Sequence, residues 1–149
     1  KMDVLDSTGG VLPAWSDGKL TYLVRTAQIP SMKKTIIEHN IAFGATSRDA
    51  GPPDIEHEMQ VAFSDAVDSR VLVFLQDWYN SGILYDVQLT LIGPNDKEGA
   101  SRKGKVFTLK ECFVNRDAAD LDVSSNTEAL QLQTTLVYKY CQEFFQADA

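Results

Sequence analysis

The chain has 149 residues, a formal net charge of −7, 44% apolar and 23% charged residues, and two cysteines. That length is most simply one domain with a real core, and the composition is ordinary for a soluble globular protein. The acidic balance argues against a general surface that wraps nucleic acid, no apolar run approaches the ~20 residues needed to span a bilayer, and two cysteines make no disulfide framework.

Residues 1–18, with Gly9-Gly10, Pro13 and Ser16-Asp17-Gly18, read as an extended N-terminal arm or a weak first hairpin ahead of a single domain over residues 19–149. Lys19 to Thr26 has a strand pattern that stops before Ile29-Pro30. A second strand pattern covers Thr35 to Phe43, with Ile37, His39, Ile41 and Phe43 on one face and Ile36, Glu38, Asn40 and Ala42 on the other. Gly44 to Ile55 is polar and lacks core-forming periodicity, so it reads as a long inter-strand loop. Loops of that length in compact domains usually have a task, and fully extended this one reaches up to ~40 Å. His57 to Asp65 resumes the alternation, with Met59, Val61 and Phe63 inward and Glu58, Gln60 and Ala62 outward.

One helix follows. Ser64 or Asp65 can cap it, Val67, Val71, Leu75 and Trp78 form an apolar stripe at helical spacing, and Asn80-Ser81-Gly82 ends it. Leu84 to Ile92 is a strand, Gly93-Pro94-Asn95-Asp96 a turn, Lys97 to Lys103 a charged tip, and Lys105 to Val114 a further strand. After an acidic break from Asp117 to Asp122, a final long strand runs from Ala129 to about Phe144. The fold class is mainly β, an antiparallel sandwich or small barrel with one packed α-helix and a long inter-strand loop. Cys112 and Cys141, on separate strand-like segments, read as buried or half-buried thiols in a reducing compartment.

No catalytic constellation assembles. In Glu56-His57-Glu58 a strand points the histidine away from both glutamates, and His39 is the other histidine in the chain. Asp117, Asp120 and Asp122 lack the spacing of a calcium loop, and Ser101-Arg102-Lys103-Gly104-Lys105 lacks the glycine arrangement of a phosphate loop. Tyr138-Lys139-Tyr140 alternates as strand faces do, although such a stripe can bind single strands. The expectation is a protein without enzymatic activity, metal or cofactor. Lys97, Arg102, Lys103, Lys105 and Lys110 concentrate basic charge in one stretch of an acidic chain. They read as a flexible tip or as a contact patch for an acidic partner.

In order along the chain, several segments resemble the tail-tube proteins of contractile-tailed bacteriophages. The segment from Ser69 to Trp78 followed by Gly82 is similar to their R-x-x-F-x-x-W helix, with Phe74 four residues after Arg70 instead of three. Ile29-Pro30 matches an early X-Pro after the first strand, and Gly44 to Ile55 matches a long loop. Asp120-Leu121-Asp122, Leu130-Gln131-Leu132 and Tyr138-Lys139-Tyr140 match the ending. The resemblance covers roughly Leu20 to Phe144, and tube proteins of the type VI secretion system and of extracellular injection systems share the fold.

The resemblance implies a structural virion protein of hexameric rings, stacked as an inner tube within a contractile sheath and assembled in the host bacterial cytoplasm. The partners it implies are further copies, the sheath, baseplate and tail-terminator proteins, a tape-measure protein and transient double-stranded DNA, with no stable membrane association. An acidic lumen would let duplex DNA slide without sticking. Within that frame Gly44, Thr46, Ser47, Arg48, Asp49, Gly51, Pro52 and Pro53 are expected as an inter-subunit loop, and Glu38, Asn40, Glu58, Gln60, Asp86 and Gln88 as lumen residues. Lys97, Arg102, Lys103 and Lys105 are expected to meet the sheath or the acidic Asp117, Asp120, Asp122 and Glu128 of the next ring. The alternatives are a tube initiator or terminator, a tube protein of an injection system, or a monomeric β-sandwich binding module; rings against monomers separate the last from the rest.

Overall fold

Apolar residues at every second position form strands, and every ladder that joins them is antiparallel. The computed structural model describes residues 1–17, 19–53, 56–65, 68–95, 101–118 and 130–145. Its elements are β1 (Met2–Leu5), α1 (Pro13–Ser16), β2 (Val24–Ala27), β3 (Lys34–Asn40), β4 (Thr46–Pro53), β5 (Glu58–Asp65), α2 (Arg70–Ser81), β6 (Tyr85–Asn95), β7 (Ser101–Arg116), β8 (Leu130–Val137) and β9 (Tyr140–Phe145). Short 3₁₀ turns cover Leu20–Leu23 and Ala42–Gly44. Seven strands join in the order β1-β6-β7-β8-β5-β2, with β9 also laid along β7, while β3 and β4 form a separate two-stranded ribbon.

The core is the inward half of each alternation. Met59, Val61 and Phe63 of β5 meet Val87 and Leu89 of β6, Phe107 and Leu109 of β7, and Leu132 and Leu136 of β8. The stripe Val71, Leu75 and Trp78 of α2 closes one side, and Trp15 packs edge-on against Phe63 and Phe74. Ala62, expected outward, is buried all the same because it is small and lies between two paired strands.

Asp65 provides the helix start, though from the end of a strand. Its buried carboxylate accepts the amides of Val71 and Leu72, each at 3.1 Å, and so satisfies two first-turn donors. Ser69, the residue at the helix boundary, sits at φ 52 and makes no side-chain cap. Gly82 ends the helix at φ 64, a left-handed stop that suits glycine. Val67, expected in the apolar stripe, lies outside the described residues.

Several segments differ from the sequence expectation, each for a tertiary reason. The expected N-terminal arm contributes β1, whose four residues are buried against β6, so it belongs to the main sheet. Lys19 to Thr26 is a 3₁₀ turn followed by a short strand, because Leu20 turns into the core beneath α1. The strand expected over Thr35 to Phe43 ends at Asn40 and passes into a turn. The strand from Leu84 extends to Asn95, through the expected turn.

The expected final strand is two. Phe113 pairs with Val137 and Lys110 with Tyr140 in one register, so β8 and β9 are a single line interrupted at Tyr138-Lys139. The interruption faces a bulge in β7, where Tyr85 pairs with Cys112 but Val87 with Leu109, so β7 holds one extra residue. Glu111 sits there at φ 52.

Asp86 of β6 holds that bulge. Its carboxylate accepts the Lys110 ammonium at 2.6 Å and the Glu111 amide at 3.1 Å. The hydrogen bond to Asp86 raises the Lys110 pKa above its ordinary value. Opposite, the Lys139 amide donates to the Lys110 carbonyl at 3.0 Å and its ammonium pairs with Glu111 at 2.8 Å. Tyr138 fixes the other side of the interruption, its hydroxyl donating to the Glu56 carbonyl at 3.0 Å and its ring stacking on His57.

Truncating Asp86 to alanine strands a half-buried ammonium and a bent-strand amide, so Asp86→Ala should cost about 2 kcal/mol in urea unfolding. Lys139→Ala breaks only an exposed pair and should leave the urea unfolding curve nearly unchanged. Equal losses in the two variants would count against the bulge as the site of that energy.

Burial pushes the Cys112 thiol from 9.0 up to about 12. The unfolded chain then ionises this thiol at lower pH than the folded one, so stability falls as pH rises from 9 toward 12, by at most about 1.4 kcal/mol per pH unit. In Cys112→Ala, unfolding free energy should decline less steeply over that interval. Parallel pH curves would contradict the assignment.

Candidate inter-subunit surface

β3 and β4 pair only with each other, and neither contains a buried residue. The register runs Ile37 to Asp49, Glu38 to Arg48, His39 to Ser47 and Asn40 to Thr46, with an irregularity between Lys34 and Ile36. Seven residues of β3 make the ribbon about 23 Å long at ~3.3 Å per residue. Arg48 pairs with Glu38 at 2.9 Å and His39 with Asp49 at 3.4 Å, both solvent-exposed. At the base, Thr35 donates its hydroxyl to the Pro52 carbonyl at 2.6 Å and Lys33 pairs with Glu56 at 3.1 Å. A Cβ at Gly51 would stand 2.9 Å from the Thr35 carbonyl, so the irregular crossing requires glycine.

The ribbon revises the expected loop. Thr46, Ser47, Arg48, Asp49, Gly51, Pro52 and Pro53 are residues of β4, and Gly44 closes the turn before it; Asp54 and Ile55 lie outside the described residues. The segment lacks core periodicity because both faces of the ribbon meet solvent. What sequence reasoning missed is its apolar cargo, since Met32, Ile36, Ile37, Ile41 and Phe43 are all exposed. The available signal was apolar residues on both faces of one strand, Ile36 with Ile37.

Of the expected lumen residues, four lie on the main sheet and two on the ribbon. Glu38 and Asn40 are on the ribbon, outside the main sheet, with Glu38 held by Arg48. Glu58 and Gln60 are exposed on β5, opposite the buried Met59 and Val61. Asp86 and Gln88 are half-buried on β6, on the far side of β7 and β8 from β5, and Asp86 is engaged at the bulge.

Of the charged contact residues, Lys97, Asp120, Asp122 and Glu128 lie outside the described residues. Arg102, Lys103 and Lys105 are at the start of β7, with the Lys105 ammonium 5.1 Å from the Phe107 ring, and exposed Asp117 follows its end. Arg102, Lys103 and Lys105 on one side and Asp117 on the other therefore stand at opposite ends of a strand of 16 residues. Of Glu56-His57-Glu58, Glu56 pairs with Lys33 and His57 stacks on Tyr138. Among the described residues no group of three His, Cys, Asp or Glu side chains is placed to hold a metal ion, and no helix is long and apolar enough to cross a membrane.

No family model and no curated protein matches this chain. Solved structures do. A chain of the sheath–tube complex of the extracellular contractile injection system PVC, in its extended state, is 14% identical, with 97% of this chain and 87% of that one covered at a TM-score of 0.61. A chain of the PVC sheath/tube terminator is 16% identical over 98% and 91%, with a TM-score of 0.60. The crystal structure of an Hcp protein is 12% identical over 97% and 96%, with a TM-score of 0.55. The chain therefore has the tail-tube-like fold of the tube and tube-terminator proteins of contractile injection systems.

Gly51→Val should disorder the ribbon and spare the core. Amide exchange of Ile36 to Asn40 should become fast while β5 and β8 stay protected, and the unfolding free energy should fall by less than about 0.5 kcal/mol. Loss of protection in β5 would show that the ribbon supports the core.

Proposed function

We propose that this chain is a structural, non-enzymatic subunit that assembles as stacked hexameric rings forming the inner tail tube of a contractile-tailed phage, inside the sheath. The observation that carries this is a tail-tube-like fold over nearly the whole chain, joined to a ribbon with exposed apolar side chains and no cover of its own. Exposed apolar surface of this kind marks protein contacts. β2 and β9 each pair along one side only among the described residues, and such edges are natural sites for ring closure between copies.

In this proposal the ribbon from Gly44 to Pro53 is the inter-subunit element. The basic start of β7 meets the acidic segment from Asp117 to Glu128 on the next ring or on the sheath. Arg102 to Lys105 and Asp117 stand at opposite ends of β7, which suits a head-to-tail contact between two different complementary surfaces. Glu58 and Gln60, with Asp86 and Gln88, remain the lumen candidates, and an acidic wall would let DNA pass. The working location is the virion tail, after assembly in the bacterial cytoplasm beside sheath, baseplate, terminator and tape-measure proteins.

A second reading, a tube terminator, is favoured by the comparable likeness to the PVC sheath/tube terminator. Negative-stain microscopy distinguishes the two, since tubes grow with concentration for a tube subunit and stop at single rings for a terminator. A compact monomer at every concentration would defeat both.

Deleting Thr46 to Gly51 should leave a folded domain that no longer stacks. Lys103→Glu with Lys105→Glu should shorten tubes at low salt and matter less near 1 M, where the Debye length is ~3 Å. Unchanged tube length at low salt would remove the basic segment from the contact.

A further inference from the structure

Phe43 stands fully exposed at the ribbon tip, at φ 70 and ψ 24, and Gly44 follows at φ 77. A left-handed backbone is unfavourable for a non-glycine residue, and an aromatic ring in water offsets none of that strain. Glycine or asparagine would serve the turn better.

Elsewhere in the same molecule is an open apolar cleft of about 370 Å³ between Ala14 of α1, Leu20 of the first 3₁₀ turn, and Val73 and Phe74 of α2. Val73 is 56% exposed on a helix whose other face is core. Asp68, Arg70 and Asp77 rim the cleft; Arg70 pairs with Asp68, and Asp77 has no ion-pair partner among the described residues. β3 and β4 carry Lys34 and Arg48 against Glu38 and Asp49, so the ribbon has no net charge to set against the rim. Tip and cleft thus match in apolar character.

We propose that Phe43 of one copy seats in the cleft between α1 and α2 of a second copy. This rests on the assembly reading above and names its acceptor. Knob and socket are different surfaces of one molecule, so the contact is heterologous and builds rings or open stacks, not a closed pair. A buried aromatic at the centre of a contact, ringed by polar residues, is the usual form of an energetic anchor.

The test uses the full chain under assembling conditions. Phe43→p-benzoylphenylalanine, irradiated after assembly and mapped by mass spectrometry, should crosslink to a second copy between Arg70 and Asp77. Phe43→Ala and Val73→Glu should each weaken association roughly 10–30-fold by sedimentation, with circular dichroism unchanged, and the double variant should be little weaker than either alone. Crosslinks that map to another part of a second copy, or fully additive effects, would overturn the cleft while leaving the ribbon as the contact. Normal tubes from the Thr46–Gly51 deletion would overturn the ribbon and this proposal together.

Discussion

The fold depends on one strand serving two halves of a sheet. β7 pairs with β6 and β9 through its first part and with β8 through its last four residues, so it has to turn between them. A sixteen-residue strand has no reason to turn on its own. The extra residue at the bulge supplies the bend, and the Asp86 carboxylate takes the amide and the ammonium that the bend turns outward. Because β8 and β9 follow β7 in one register, they break at Tyr138-Lys139 beside the same bulge. The two sides are joined there by Lys139 with Lys110 and Glu111. The packing of α2 across β7 and β5 follows from the direction this corner sets.

Against that closed body the ribbon is an energetic anomaly. A two-stranded hairpin is marginal in water by itself, and this one has no buried side chain to stabilise it. Its exposed ion pairs contribute little singly. Met32, Ile36, Ile37, Ile41 and Phe43 would each gain about 1.5–3 kcal/mol from full burial, which a partner surface can supply and the chain does not. Exposed apolar surface and a tail-tube-like fold thus occur in one chain.

The candidate surface was legible in part. Gly44 to Ile55 stands out in the sequence for length and polarity, but its residues Thr46–Pro53 form a strand and not a loop. Strand character could not be read there because periodicity reports burial of one face, and neither face of the ribbon is buried. The lumen residues were chosen by the same alternation, which tells inside from outside within a strand but not which outsides are neighbours. That is how Glu38 came to be grouped with Glu58 although one lies on the ribbon and the other on the main sheet.

By itself the sequence determined the mainly β class, the inward face of β5 and the helix stripe Val71, Leu75 and Trp78 with its stop at Gly82. Those are local matters of period, capping and composition, carried by neighbours within a few residues. Only the tertiary structure decided that Met2–Leu5 is a buried strand of the main sheet, that Asp65 caps α2 from the end of β5, and that Asp86 holds β7 at its bulge. It alone decided that the last strand is two and that Phe43 is left bare at a tip. Each of these joins residues far apart in the chain, where long-range pairing and unmet backbone donors, not local propensity, set the outcome.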